Sequence, residues 1–124
     1  MISIYFEDHT RIGGLKEPTI KYANRVIEHL GMDDYDDHTL ELNLTETGIS
    51  YVVGDKDHTV VYVCVDQEFG RNLAHEFVHV WQLVSGKYKD FESDLPYMKQ
   101  PWEIEAYARE DEIFEACRLD GQTN

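Results

Sequence analysis

Two histidines and a glutamate stand at a spacing that can hold a metal ion and activate water. The segment His75-Glu76-Phe77-Val78-His79 separates the histidines by four residues, and such positions share one face of an α-helix. Both imidazoles can then reach one tetrahedral zinc ion at roughly 2.0–2.1 Å. Glu76 would lie beside the ion as the general base, without being a ligand. The alternative is an exposed helical turn that carries two solvated histidines.

A catalytic zinc ion also needs a third protein ligand and an open fourth position for water. No histidine follows His79 in the chain, so the third ligand must be a carboxylate or a tyrosine from elsewhere. A later helical segment offers Glu103 and Glu105, which are two residues apart and therefore point to nearly opposite sides of a helix. We favour Glu105, because the small residues Ala106 and Ala108 would let two helices approach closely on that side. The alternative is that both glutamates are surface charges.

A hydrogen-bond donor beside the metal would stabilise the oxyanion that forms during hydrolysis. Tyr88 and Tyr97 follow the motif, and Tyr107 follows the two glutamates. The chain has eight tyrosines, and we expect most of them to serve packing. Tyr97 is the candidate for the oxyanion stabiliser.

Hydrophobic periodicity predicts the elements that must position these residues. Residues 2–6 indicate a strand, and helical spacing from Pro18 to about residue 30 predicts a helix that Gly31 ends. Three more strands are predicted ahead of the motif, at residues 39–44, 49–53 and 59–65. The last strand is almost continuously apolar, which is typical of a strand covered on both faces.

The motif itself lies in a predicted helix over residues 67 to 84, with Gly86 after it. Residues 86–100 are polar with interspersed aromatic side chains, which predicts a functional covering loop. Pro101 then begins a last helix that runs to about residue 118. The order strand, helix, three strands, two helices predicts a single α+β domain over residues 1–124, with a three-stranded antiparallel or mixed sheet.

Net charge restricts the partners of the protein. Twenty-five acidic and eleven basic residues give a formal net charge of −14. Such a surface repels phosphate backbones and anionic lipid headgroups, so neither nucleic acid nor a membrane is expected as a partner. The charge either keeps a small protein soluble or favours basic substrates.

The N-terminal segment, the lack of a long apolar run and the two cysteines predict the location of the protein in the cell. The N-terminal MISIYFEDHTR has no basic region followed by an apolar one, and no run approaches the roughly 18 apolar residues of a membrane span. A cytoplasmic or otherwise intracellular location is therefore expected. Cys64 and Cys117 lie outside any CxxC pair and are predicted to be reduced. The pattern leaves the oligomeric state open.

The segments HEFVHVWQ and PWEIEAYA together resemble the gluzincin arrangement of the zincin metallopeptidases. The resemblance runs from the strand at residue 59 to the helix near residue 113, and it is closest to the minimal gluzincins and the ImmA/IrrE-type peptidases. In these proteins a glutamate directly followed by alanine is typically the third ligand, which implies Glu105 here. Thermolysin-like gluzincins carry an aspartate four residues later, where this chain has Arg109, so the resemblance leaves the partner of His75 unassigned.

The resemblance implies a zinc-dependent peptidase with a peptide or protein substrate. It also implies that an extended peptide pairs with the predicted strand at 59–65 as an added edge strand. One alternative is a zinc-binding protein-interaction module without catalytic turnover. Another is a regulatory peptidase with a single protein target. SprT-like proteases share the short motif but work on DNA, which the acidic charge disfavours.

Overall fold

A mixed four-stranded sheet forms one layer of the protein. The structure is a computed structural model that describes residues 2–32 and 37–117. The strands are β1 (Ile2–Asp8), β2 (His38–Thr45), β3 (Tyr51–Gly54) and β4 (His58–Cys64). Their order is β1-β2-β4-β3, with β2 parallel to both β1 and β4, and β3 antiparallel to β4. The N-terminal strand therefore adds a fourth strand to the three predicted ahead of the motif.

The interior strands carry the most buried side chains. Leu42 of β2 pairs with Val61 of β4, and both side chains are completely buried. Because β4 pairs with a neighbour on each side, it has no free edge for a peptide. The prediction that the strand at 59–65 offers an edge is wrong. Among the described strands the edges are β1 and β3.

Three helices pack beside the sheet: α1 (Lys16–His29), α2 (Phe69–Val84) and α3 (Pro101–Cys117). Helix α1 makes the crossover that two parallel neighbouring strands require. It ends as predicted, since Gly31 adopts the left-handed φ of 71° after the C-cap residue. A short 3-10 turn, Tyr97–Lys99, lies in the covering segment, the loop of residues 86–100 ahead of α3. The prediction of an α+β fold is confirmed.

Helices α2 and α3 run antiparallel and in close contact. Near the start of α2, a Cβ on Gly70 would come within 2.4 Å of the Phe114 ring near the end of α3. Near the end of α2, Gln82 donates a hydrogen bond to the backbone oxygen of Trp102 at the start of α3. Residues 73–80 of α2, which lie between these contacts, are all buried. The two histidines of the motif lie on the side that faces α3.

Two further predictions concern the buried cysteines and membrane spans. Cys64 and Cys117 are both free, as predicted, and both are buried. Within residues 2–32 and 37–117, no helix is long and apolar enough to cross a membrane.

Candidate metal centre

Three side chains from two helices converge on one point inside the protein. His75 Nε2 lies 3.0 Å from Glu103 Oε1, and His79 Nε2 lies 3.1 Å from Glu103 Oε2. All three residues are buried, with at most 8% of their surface exposed. Two ligand atoms held about 2.0–2.1 Å from one tetrahedral ion are about 3.3 Å apart. The spacing of these atoms is therefore close to that of a metal site.

The structure places Glu103, and not Glu105, beside the histidines. Glu103 lies three residues before the completely buried Ala106 and so shares the face of α3 that packs on α2. Glu105 is turned away and accepts a hydrogen bond from Gln82 and another from Lys87. The argument for Glu105 from small neighbours was wrong because Ala108 is exposed, which leaves Ala106 alone to mark the close contact.

Each histidine is held by its other ring nitrogen. His75 Nδ1 lies 2.8 Å from Glu110 Oε1, and His79 Nδ1 lies 2.8 Å from Gln82 Oε1. Both partners are acceptors: one is a carboxylate, and the other is the amide oxygen of a glutamine whose nitrogen donates elsewhere. Both rings therefore carry their proton on Nδ1. Such contacts fix the tautomer and the orientation of a metal-binding histidine.

The chemistry of the donor set fits a cation. An imidazole that is protonated on Nδ1 has only a lone pair at Nε2, yet both Nε2 atoms face oxygens of Glu103. Acceptors that face acceptors repel unless a cation lies between them or each ring carries a second proton. Two imidazolium rings with centroids only 4.9 Å apart would repel each other. One divalent cation satisfies the three groups together.

Even without a cation, the contacts among these side chains shift the pKa values of Glu103 and His75 toward their charged forms. Without a cation, burial opposes ionisation of Glu103, but hydrogen bonds donated by the Nε2–H groups of His75 and His79 outweigh it and lower the pKa of Glu103 to about 2. Burial lowers the pKa of His75, whereas hydrogen bonds to Glu103 and Glu110 raise it, with a net increase. Glu103 is thus a stable anion that attracts positive charge, from a proton or a metal, to this point.

Glu76 lies beside this centre and opens onto a cleft. The cleft has a volume of about 260 Å³, and Glu76, His75 and Glu110 line one side of it. Only 5% of the Glu76 surface is exposed, and burial raises the pKa of its carboxyl to about 7. A carboxylate with a pKa near neutrality can both accept and release a proton. Its position next to the histidines matches the predicted general base.

Aromatic side chains surround the centre on the side of the covering segment. The ring of Tyr107 packs edge-on against His75, with the ring centroids 4.5 Å apart. The ring of Phe91 packs against His79, with the centroids 5.1 Å apart. Tyr97 lines the cleft, and its hydroxyl lies 3.4 Å from the hydroxyl of Tyr107. Burial together with contacts to Tyr107 and Glu103 raises the pKa of Tyr97, so its hydroxyl keeps its proton. The predicted candidate therefore lines the same cleft as His75 and Glu76.

No protein-family model, curated protein or solved structure matches this chain. Its function is therefore inferred from the residues of the centre.

Three residues of the centre were not assigned from the sequence. The sequence favours Glu105 over Glu103, and it carries no specific signal for Glu110 or Gln82. A non-specific signal for Glu110 exists in the chain, since it lies seven residues after Glu103 and so returns to nearly the same face of a helix. Gln82 lies three residues after His79, which places it within reach on the same helix. Neither spacing is specific enough to stand out without the packing of α3 on α2.

Proposed function

We propose that the protein is a zinc-dependent peptidase. The observation that carries the proposal is the convergence of His75, His79 and Glu103 at a point where His75 and the neighbouring Glu76 line an open cleft. Structural zinc sites are usually closed by four protein ligands, whereas catalytic sites use three and leave a position for water. Among the residues that the structure describes, three ligands form this group, which favours catalysis over a zinc-binding interaction module.

His75, His79 and Glu103 would hold the zinc ion. When bound, zinc would supply a Lewis acid that polarises a peptide carbonyl and lowers the pKa of a water molecule. Glu76 would accept the proton from the attacking water and pass it to the leaving amine. Tyr97 would donate a hydrogen bond to the carbonyl oxygen as negative charge develops on it.

The edge strand β3 is the place at which a peptide substrate would dock. Gly48, Ile49 and Ser50 line the cleft and lead directly into β3. On its other side β3 pairs with β4, so one row of its backbone groups can accept an extended peptide. Tyr51 and Val53 are exposed on this strand. We therefore replace the predicted docking strand by its neighbour β3.

The acidic surface supports a peptide or protein partner in preference to nucleic acid or a membrane, on the charge argument above. The alternative function, a regulatory peptidase with a single protein target, would use the same three ligands and the same general base.

Metal content and cleavage, measured on one preparation, test the proposal. The purified protein should contain one zinc ion per chain and should cleave peptides from a proteome-derived library. Metal analysis matters because two histidines and a carboxylate also bind iron(II) in oxygenases. Stoichiometric zinc without cleavage of any peptide would favour the interaction module, and stoichiometric iron would overturn the zinc assignment.

A further inference from the structure

A chain of hydrogen bonds runs from His79 to the protein surface. His79 Nδ1 contacts Gln82 Oε1, and Gln82 Nε2 lies 2.8 Å from Glu105 Oε1 and 3.0 Å from the Trp102 carbonyl oxygen. Glu105 pairs in turn with Lys87. We propose that Glu105 is a positioning residue that, through Gln82, fixes which ring nitrogen His79 presents to the metal. The inference rests on the proposed zinc centre and gives a role to a residue that is not a ligand.

The two ends of the Gln82 amide have opposite hydrogen-bonding character. Its oxygen only accepts and its nitrogen only donates. Gln82 is completely buried, so both ends need partners inside the protein. The Glu105 carboxylate and the Trp102 carbonyl only accept, and together they take both hydrogens of the amide nitrogen. The amide oxygen is therefore left facing His79.

The orientation of this amide decides the tautomer of His79. An oxygen beside Nδ1 requires a hydrogen on Nδ1, and a neutral ring then has its lone pair at Nε2, the atom that faces Glu103. If the amide rotated by half a turn, its nitrogen would donate to Nδ1. The ring proton would then lie on Nε2, where it prevents metal binding. Glu105 opposes this rotation because a carboxylate cannot donate to the oxygen that would face it.

Glu105 is accessible enough to be replaced without disturbing the core. Its side chain is 19% exposed, and its second partner, Lys87, is a surface residue. Removing Glu105 leaves one amide hydrogen of Gln82 without an acceptor, while Trp102 still holds the other. We therefore expect a partial loss of orientation and not a collapse of the site.

A double-mutant cycle on zinc affinity tests the coupling. Zinc Kd would be measured by chelator competition for wild type, Glu105→Ala, Gln82→Met and the double variant. We expect Glu105→Ala to weaken binding about tenfold, the lower end of the range for partners of metal ligands. Since Glu105 acts through Gln82, the double variant should bind no more weakly than Gln82→Met alone. Additive losses, or an unchanged Kd in Glu105→Ala, would overturn the proposal.

Further measurements separate positioning from a general structural effect. Glu105→Gln can accept from Gln82 but can also donate to its oxygen if the amide rotates, so its zinc Kd should lie between those of wild type and Glu105→Ala. In zinc-loaded protein with ¹⁵N-labelled histidine, the Nδ1 hydrogen of His79 should exchange faster with water in Glu105→Ala. The melting temperature without metal should not change. A fall in that melting temperature with the histidine signal unchanged would overturn the proposal. If Gln82→Met does not fold, the zinc Kd values of Glu105→Ala and Glu105→Gln and the exchange rate of the His79 Nδ1 hydrogen still test the proposal.

Glu112→Ala is the matched control, because it removes the same charge from an exposed position on the same helix. Its zinc Kd should equal that of wild type, and a loss equal to that of Glu105→Ala would overturn the proposal. These readouts do not depend on cleavage. Zinc binding with the expected coupling but without peptide cleavage would reject the peptidase function and support this inference. A wild-type protein that binds no zinc would overturn both.

Discussion

Glu103 and Glu110 contact the two nitrogens of one imidazole ring. Glu103 lies 3.0 Å from His75 Nε2, and Glu110 lies 2.8 Å from His75 Nδ1. Seven residues separate the two glutamates, so they lie within about 20° of each other around α3. One helix face thus supplies both a candidate metal ligand and the group that holds the His75 ring from its other side. Glu110 takes the role for which the resemblance to gluzincins offered only Arg109.

Glu110→Ala should weaken zinc binding about 10- to 100-fold, because the Nδ1 hydrogen of His75 loses its acceptor. Glu110→Gln can still accept through its amide oxygen and should lose less. Chelator competition on both variants measures the difference, with Glu112→Ala as the control on the same helix. Equal affinity for Glu110→Ala and wild type would show that Glu110 does not orient His75.

His75→Ala and His79→Ala should each abolish tight zinc binding. Zinc at a hundred times its Kd would stabilise the wild type by about 2.7 kcal/mol, which is on the order of 10 °C in melting temperature for a chain of this size. This zinc-dependent rise should disappear in both variants. His58→Ala is the matched control, since His58 is exposed on β4 and pairs with Glu41. Full zinc content in both variants after dialysis would place the site elsewhere.

Glu103→Gln should weaken zinc binding far more than Glu105→Gln does. The first change removes a charged ligand from the centre, whereas the second leaves an acceptor in place for Gln82. The loss for Glu103→Gln should exceed the roughly 10- to 100-fold that is typical of an outer partner. Measuring zinc affinity for both variants decides between the two glutamates. A larger loss for Glu105→Gln would restore the assignment that the sequence favoured.

Glu76→Gln should retain zinc and lose hydrolysis. The change is nearly isosteric and Glu76 is not in the ligand group, so the metal geometry should survive. The missing proton acceptor should lower the rate by about 10²–10⁴. Zinc stoichiometry and peptide cleavage, measured together, separate this variant from the histidine variants, which should lose both. Cleavage at the wild-type rate would remove Glu76 from the mechanism.

Tyr97→Phe should lower kcat by about 10²–10³, because an oxyanion donor is lost, with zinc affinity nearly unchanged. Tyr88→Phe is the control in the same covering segment, since Tyr88 packs against Trp102 away from the cleft. Kinetics on one cleaved peptide, with zinc affinity measured in parallel, provide the test. Equal kcat for the two variants would assign Tyr97 to packing alone.

Local geometry explains what could be predicted from the sequence. The spacing of His75 and His79 needs only one turn of helix to bring the rings together, and Glu76 follows from the same turn. The strands were likewise visible as apolar runs, since each depends on neighbours in sequence. The α+β class and the positions of the helices followed from these local patterns.

The tertiary structure decided everything that depends on how distant elements meet. Glu103 and Glu105 are equally suitable in chemistry and spacing, and only the rotation of α3 against α2 selects Glu103 for the centre. The sheet order was hidden for the same reason: β1 pairs with β2 across a helix, and β4 is an interior strand because it pairs with β2 on one side and with β3 on the other. Glu110 and Gln82 become partners of the histidines only after the helices pack. Such contacts depend on the relative placement of whole elements, which no periodicity within a single element encodes.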